Sequence, residues 1–516
     1  MTDAARPAVP GLGLGPSAAS YSPADAVPDD ANGGVGSADL RSRAAPRTRI
    51  ERDSLGEVEV PADAPWGAQT QRAIGNFPIS TERWAPELID ALVLVKRSAA
   101  LAHRELGTLP ATLATAIAEA ADEVLAGRHR HAFPLPVWQT GSGTQTNMNV
   151  NEVLAHLATR RLADPDRGRV HPNDHVNRGQ SSNDAVPAAI HVATALALAR
   201  RVEPALHELA AALRERERAF AHLVKIGRTH LQDAVPMTLG QAFGAYASQI
   251  ERARRAIAPA LDDLLPLPVG GTAIGSGLNA PPGFAEAIAA QLATATGLPF
   301  TAASDRFALI GAHDPVVAAH AAMSGAAVAL TRIGNDLRLM SSGPDTGLGE
   351  IRLPANEPGS SIMPGKVNPT QVEALTMACL QVMGNHGTMQ AAGAGGMLEL
   401  NVYKPLIGHL AMQSARLVAD ATRSFVERCV RGIEADEARL AMHVSRSRML
   451  VTALAPHVGY DAAARIVHRA VDAGSTLREA AIAEGVTAED YDRWVDPAAM
   501  AGLGGTERGT EAASPG

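Results

Sequence analysis

Cysteine is nearly missing from this sequence: Cys379 and Cys429 are the only two in 516 residues, and both sit in apolar stretches. A disulfide framework is therefore excluded, and the cytosol is the default compartment. Aromatic residues are scarce too, 3% against 46% hydrophobic, so any large core must be aliphatic. A basic excess is lacking. The 46 Lys and Arg against 54 Asp and Glu leave a formal net charge of −8, which argues against nucleic-acid binding through a basic surface. Long hydrophobic runs are lacking as well. The longest, such as Gly325 to Leu330, is broken by Thr331 and Arg332, far short of the ~18–20 residues a membrane span needs. The chain reads as soluble, with no membrane association.

The length suits two to four units of about 100–200 residues each. The first 47 residues are mostly Ala, Pro, Gly, Ser and Asp without an apolar h-region, which predicts a disordered tail and not a signal peptide. A similar tail is expected over residues 503–516. Between the tails, helical period dominates. Apolar positions step by three, four or seven through Leu239, Phe243, Tyr246, Ile250, Ile257, Leu261 and Leu264. The same steps recur from Val316 to Leu337, from Val372 to Val382 and from Val202 to Leu213. Heptad stripes on helices of ~25–30 residues, ~40 Å long, predict a bundle. Because many of the interior positions are Ala, Gly or Ser, the stripes are thin for a lone monomer, and an oligomer is expected. Strand-like segments are few; Ile50 to Val60 reads as a short hairpin, turning at Ser54, Leu55 and Gly56.

Several chemistries can be set aside. GSGLNA at Gly275 to Ala280 has no preceding buried strand and no βαβ unit around it, so it is not a dinucleotide turn. From Gly359 to Lys366 the glycine spacing is one residue too long for a phosphate loop, and Val367 replaces the Mg-binding hydroxyl. No HExxH occurs among the histidines.

What remains is four polar islands: Thr140 to Glu152 (TGSGTQTNMNVNE), His171 to Asp184 (HPNDHVNRGQSSND), Gly227 to Ala234 (GRTHLQDA) and Glu357 to Pro369 (EPGSSIMPGKVNP). One such island could be nothing more than a capped helix start. Four together, holding the cations Arg178, Arg228 and Lys366 and the titratable His171, His175 and His230, point to a small polyanion bound at helix N-termini. In the fourth island Gly359 and Gly365, with Pro358 and Pro369 outside them, bracket a loop able to close over a ligand.

At these islands the sequence resembles the fumarase/aspartase superfamily, and within it the class II fumarases. The intact segment Gly359 to Pro369 carries the resemblance, with Gly270 to Asn279 (GGTAIGSGLN) and Asn401 to Pro405 (NVYKP); it spans roughly Ile50 to Met500. Ser182 and Gly365 fit fumarases, where aspartases usually carry Thr and Ala. The resemblance implies a mainly α fold of three regions, residues 48–180, a central bundle of long helices over 181–437, and a small helical region over 438–502. It also implies a homotetramer whose active sites are shared between subunits. The implied reaction is reversible anti addition of water to fumarate, a dicarboxylate, giving L-malate through an aci-carboxylate, with neither metal nor organic cofactor.

By the same resemblance Ser360 matches the catalytic base, His230 the residue that handles water, Glu373 its carboxylate partner, and Lys366 a stabilising cation. Substrate contacts fall on Ser142, Gly143, Thr144, Ser181, Ser182, Asn183, Thr229, Ser361, Lys366, Val367 and Asn368. A second dicarboxylate site falls on His171, Pro172, Asn173 and Asp174. The sequence departs from the family at Arg178-Gly179, often Lys then Ser, and at Leu398, often aromatic. The alternatives are another lyase of the superfamily, such as an aspartase releasing ammonia, and a helical scaffold that keeps the fold without the chemistry.

Overall fold

The computed structural model describes residues 47–162 and 169–503. Apart from Arg47 and Leu503, the two expected tails lie outside the described residues. The chain begins with the expected hairpin, β1 (Thr48–Asp53) and β2 (Gly56–Pro61), paired antiparallel from Thr48↔Pro61 to Asp53↔Gly56. The Asp53 carboxylate accepts the Leu55 N–H across the turn at 2.9 Å. Helices follow: α1 (Ala68–Asn76), α2 (Pro86–Glu105), α3 (Ala111–Leu125), α4 (Thr144–Leu162), α5 (Ser182–Ala197) and α6 (Glu203–Ala219). A π-helical turn, Leu198–Val202, joins the last two into one rod of 38 residues.

The third island is not the helix start that the sequence suggested. It forms a second antiparallel hairpin, β3 (Val224–Thr229) and β4 (Gln232–Thr238), with His230 and Leu231 as its two-residue tip. Both tip residues have positive φ, 55° and 60°. A two-residue turn that matches strand twist requires this conformation, and it normally selects Asn-Gly, so the tip is strained. No alternating strand pattern flags the hairpin, because Lys225 and Arg228 occupy buried or half-buried strand positions.

Beyond it run α7 (Leu239–Asp262), α8 (Phe284–Thr296), α9 (Arg306–Gly311), α10 (Asp314–Met340), α11 (Thr370–Ala394), α12 (Lys404–Arg428) and α13 (Glu437–Arg446), then five shorter helices from Ala455 to Met500. The expected stripes are the buried faces: Val316, Met323, Leu330 and Leu337 on α10, and Val372, Leu375, Cys379 and Val382 on α11, are all buried. One aliphatic core runs through the long helices. A second, smaller one gathers Leu450, Leu454, Ile466, Leu477 and Tyr491 around Ile226 of β3.

Two helical stretches are apolar and long enough to cross a membrane by length and composition alone: Ser182–Ala219, mean hydropathy 1.3, and Asp314–Met340, 1.4. Neither is an unbroken apolar run, because isolated polar residues interrupt both. The Ser182–Ala219 window is 78% buried against neighbouring helices, as a core helix is, whereas the Asp314–Met340 window is only 50% buried.

Cross-contacts fix the helix directions. Tyr246, early in α7, donates its hydroxyl to Asp336, late in α10, at 3.2 Å. Glu203, at the start of α6, pairs with Arg254 in the second half of α7. Gly334, late in α10, lies against Val372 at the start of α11. Neighbours in the bundle are therefore antiparallel. The β3–β4 tip and the loop before α11 share one end. The starts of α5 and α10 and the finish of α11 share the other, where Leu264 O meets His191 of α5. At 1.5 Å per residue, the 27 residues of α10 put about 40 Å between those ends.

Candidate active site

The first two islands meet at one end of the bundle. Ser142 Oγ is 2.8 Å from Thr144 Oγ1, which is 2.7 Å from Ser182 Oγ. These hydroxyls join the start of α4 to the start of α5. Ser181 is the N-cap of α5: its hydroxyl accepts the Asn183 N–H at 3.1 Å, and Asp184 completes a capping box by accepting the Ser181 N–H at 2.8 Å. Asn183 donates to Ala273 O at 2.8 Å, and Thr272 N donates to the other oxygen of Asp184 at 2.9 Å, so the GGTAIGSGLN loop is tied to the same helix start. Gly143, in the left-handed region at φ +75°, packs on Val186, where a Cβ would meet Val186 Cγ1 at 3.0 Å. The result is a shallow surface of hydroxyls and amides facing the positive ends of two helix dipoles, suited to a carboxylate.

NVYKP supports that surface from below. Lys404 N donates to Gly141 O at 3.0 Å, and a Cβ on Gly141 would meet Val402 O at 1.4 Å, so only glycine fits there. Glu152, the last residue of the first island, is used elsewhere. Its carboxylate caps α1, accepting from Gly67 N, Gln69 N, Thr70 N and Thr70 Oγ1.

The second-site residues form one turn next door. His171 Nδ1 caps a π-helical turn, Pro172–Val176, accepting from Asn173 N at 3.3 Å and Asp174 N at 3.1 Å. At the Arg178-Gly179 departure, Gly179 sits at φ +64°, and a Cβ would meet Phe284 Cε1 at 3.2 Å. Glycine relieves both constraints. Leu398, the other departure, is an exposed turn residue at φ 50° between Met397 and Leu400.

Ser360, Ser361, Lys366, Val367, Asn368 and Glu373 lie at the opposite end, together with Thr229 and His230. The Ser360 loop is pinned at its neck, where Gly359 N donates to Lys366 O at 3.0 Å and Asn368 Nδ2 to Gly359 O at 2.7 Å. Within it the Ser360 Oγ accepts two backbone N–H groups, Ile362 at 3.2 Å and Met363 at 3.1 Å. Lys366 and Val367 are exposed on the loop, Glu373 on the first turn of α11, and Thr229 and His230 on the hairpin. Among the described residues no hydrogen bond or ion pair joins the Ser360 loop, the His230 tip and the Ser182 surface.

Arg228 does not face a ligand as its island suggested. It turns inward onto Glu350, a fully buried carboxylate, at 2.7 Å; Lys225 at 3.4 Å and His443 at 3.2 Å complete the cluster. Sequence reasoning missed Glu350 and did not connect Lys96 with the island residues Asn147, Asn151, Asn177, Gln180 and Asp184, which form a second polar group, buried except for the half-buried Asn177 and Gln180, under the carboxylate surface. Lys96 left a readable signal, since it falls in the buried helical stripe Leu92, Lys96, Ala99, His103, where a lysine has no ordinary place. Among the described residues no three His, Cys, Asp or Glu side chains gather in a metal-binding arrangement.

With this geometry in hand, the likenesses to known proteins become informative. A family model described as "Lyase" matches residues 56–384, and one described as "Fumarase C C-terminus" matches residues 450–502. The chain is 55% identical over 463 residues to the class II fumarate hydratase of Thermosynechococcus vestitus, covering 89% of this chain and 99% of that protein. It is 56% identical over 456 residues to that of Chromobacterium violaceum, covering 88% and 99%. The crystal structure of the class II fumarase from Schistosoma mansoni superposes with a TM-score of 0.85 at 44% identity, over 88% of this chain and 99% of that one.

Proposed function

The chain belongs to the lyase family and, within it, to the class II fumarate hydratases, and from that premise we propose how its residues carry out the reaction. The protein is a hydro-lyase that adds water reversibly across the double bond of fumarate. In the dehydrating direction Ser360 takes the C3 proton of L-malate. A serine hydroxyl is far too weak a base at its ordinary pKa. Here the Ile362 and Met363 N–H groups already point at its oxygen, where they stabilise an alkoxide, and Lys366 on the same loop adds positive charge. That pair of donors is the observation that carries the mechanism. Proton loss leaves an aci-carboxylate, which Lys366 and Asn368 stabilise. His230, oriented by Glu373, protonates the departing hydroxyl from the opposite face, which gives the anti course. The Ser142, Thr144, Ser181, Ser182 and Asn183 surface holds a substrate carboxylate, and the His171 to Asp174 turn is a second dicarboxylate site.

The Ser182 surface and the Ser360 loop stand about 40 Å apart in one chain, so we assign each site to more than one subunit of a homotetramer. The long helices support this. Besides its buried stripe, α11 carries a second heptad stripe of apolar and small residues, Met377, Leu380, Gly384 and Gly387, and all four are exposed. On α10 the exposed residues Ala318, Ala321, Gly325 and Val328 keep the same three-four spacing. A helix apolar on two faces is built to be covered on both. We place the enzyme in the cytosol as the hydration step of the tricarboxylic acid cycle; its two free cysteines are both buried thiols whose pKa burial raises, to about 11 and about 12.

The test is ultraviolet absorbance of the fumarate double bond. Loss of absorbance with water alone, not accelerated by ammonia, is expected. Consumption that requires ammonia makes the protein an aspartase, and none at all leaves a scaffold. Lys366→Met should raise KM and lower kcat together, reducing kcat/KM by roughly 10²–10³-fold, because the charge meets a carboxylate before and at the transition state. Unchanged kinetics would place Lys366 outside the site.

A further inference from the structure

Directly beneath the carboxylate surface lies a lysine that the mechanism does not use. Lys96 of α2 is fully buried, and its ammonium donates to Asn177 Oδ1 at 2.8 Å and Gln180 Oε1 at 3.1 Å. Gln180 immediately precedes Ser181, the N-cap of α5. Asn177 Oδ1 accepts two further donors, Asn147 Nδ2 at 3.2 Å and Asn151 Nδ2 at 3.1 Å, both from α4. Asn147 in turn donates its N–H to Gly143 O at 3.0 Å. The Gln180 amide returns to Val176 O at 3.1 Å, at the end of the His171 turn. One ammonium thus holds the bases of all three turns that make up this end of the site. Among the described residues no carboxylate pairs with it directly; the charge that acts on it is that of the buried Asp184, whose oxygens are occupied by Ser181 N and Thr272 N.

We infer that Lys96 is a positioning residue that sets dicarboxylate affinity: it locks the α4 and α5 starts in register through Asn177 and Gln180, and its buried positive charge underlies the surface they form. The inference rests on the reading of Ser181 to Asn183 as substrate contacts. The arrangement is otherwise costly. Burial pushes the Lys96 pKa down, opposed by the charge of Asp184, and burial pushes Asp184 up despite its backbone hydrogen bonds. A methionine or leucine in the same stripe would pack without that penalty. What the charge supplies is a field that water does not screen, directed at a doubly negative ligand.

Interactions made equally with bound substrate and transition state act on KM and leave kcat nearly alone. Lys96→Met is therefore expected to raise KM for fumarate about tenfold while kcat stays within about threefold, with circular dichroism and native mass unchanged. The inhibition constant for succinate, a saturated dicarboxylate that cannot react, should rise in parallel. Asn177→Asp keeps the volume but sets a negative charge against the ammonium, and should shift both constants the same way. If Lys96→Met is folded and its KM is within twofold of wild type, or if only its melting temperature falls, the inference is wrong. If Lys96→Met does not fold, an unchanged KM and succinate constant for Asn177→Asp overturn it. Asn183→Ala separates the two levels: an unchanged KM there sinks the assignment of the surface itself, whereas a raised KM there with Asn177→Asp and Lys96→Met unchanged sinks the role of Lys96 alone.

Discussion

Replacing Glu350 with glutamine should cost about 3–5 kcal/mol of stability, read as a lower denaturation midpoint in urea or on heating. The carboxylate is wholly buried just beyond α10 and accepts from Arg228 at 2.7 Å, with Lys225 at 3.4 Å and His443 at 3.2 Å around it. Glutamine preserves the shape and removes the charge, leaving Lys225 buried and Arg228 half-buried on one strand without the carboxylate they share. Like charges then repel in a medium that screens poorly, and that penalty, not the loss of a hydrogen bond, dominates. The consequence reaches the active site because Arg228 stands two residues before His230, whose tip is already held in a strained conformation. Folded Glu350→Gln should therefore also lose turnover. A midpoint within about 1 kcal/mol of wild type would show that the cluster does not hold the hairpin.

The legible and illegible parts of this molecule divide along physical lines. Long buried helices write a periodic apolar pattern, so the seams of α7, α10 and α11 could be read directly. The β1–β2 hairpin was readable because a Gly sits at its turn. The β3–β4 hairpin was not: its tip is His-Leu where turn chemistry prefers Asn-Gly, and buried ion pairing puts Lys225 and Arg228 at strand positions that a hydrophobic count discards. Arg228 was misread for the same reason, since a basic residue in a polar island looks like a ligand-binding cation until Glu350, 122 positions away, is found against it. The Ser142, Thr144 and Ser182 surface was visible as two helix starts rich in hydroxyls. Its foundation was not, because Asn147, Asn177 and Gln180 are polar residues whose partners only the packing of α2 on α5 reveals. The exposed stripe on α11 could have been read from sequence, as a second heptad offset from the first.

Mixing two dead variants should produce a live enzyme. Ser360→Ala removes the base we propose and should lower kcat by roughly 10²–10⁴-fold. Asn183→Asp sets a carboxylate on the surface we propose for a substrate carboxylate, and should be similarly inactive through KM. The two positions lie at opposite ends of the bundle, about 40 Å apart by the length of α10, so no chain can combine its own serine with its own asparagine. When the variants are co-expressed in equal amounts and assemble at random, each chain supplies an intact residue half of the time, and about one quarter of the sites receive both. Activity should return to about that fraction, far above either parent. A second mixture, Ser360→Ala with His230→Asn, then counts the contributing chains. The hairpin and the Ser360 loop share one end of the bundle, yet among the described residues no hydrogen bond or ion pair connects them, and three-chain sites predict the same recovery to about one quarter. If only the first mixture recovers, each site is built from two chains. If neither recovers while native mass spectrometry shows mixed tetramers, the site is not shared, and the assignment of Ser360 and Asn183 to one active site fails with it.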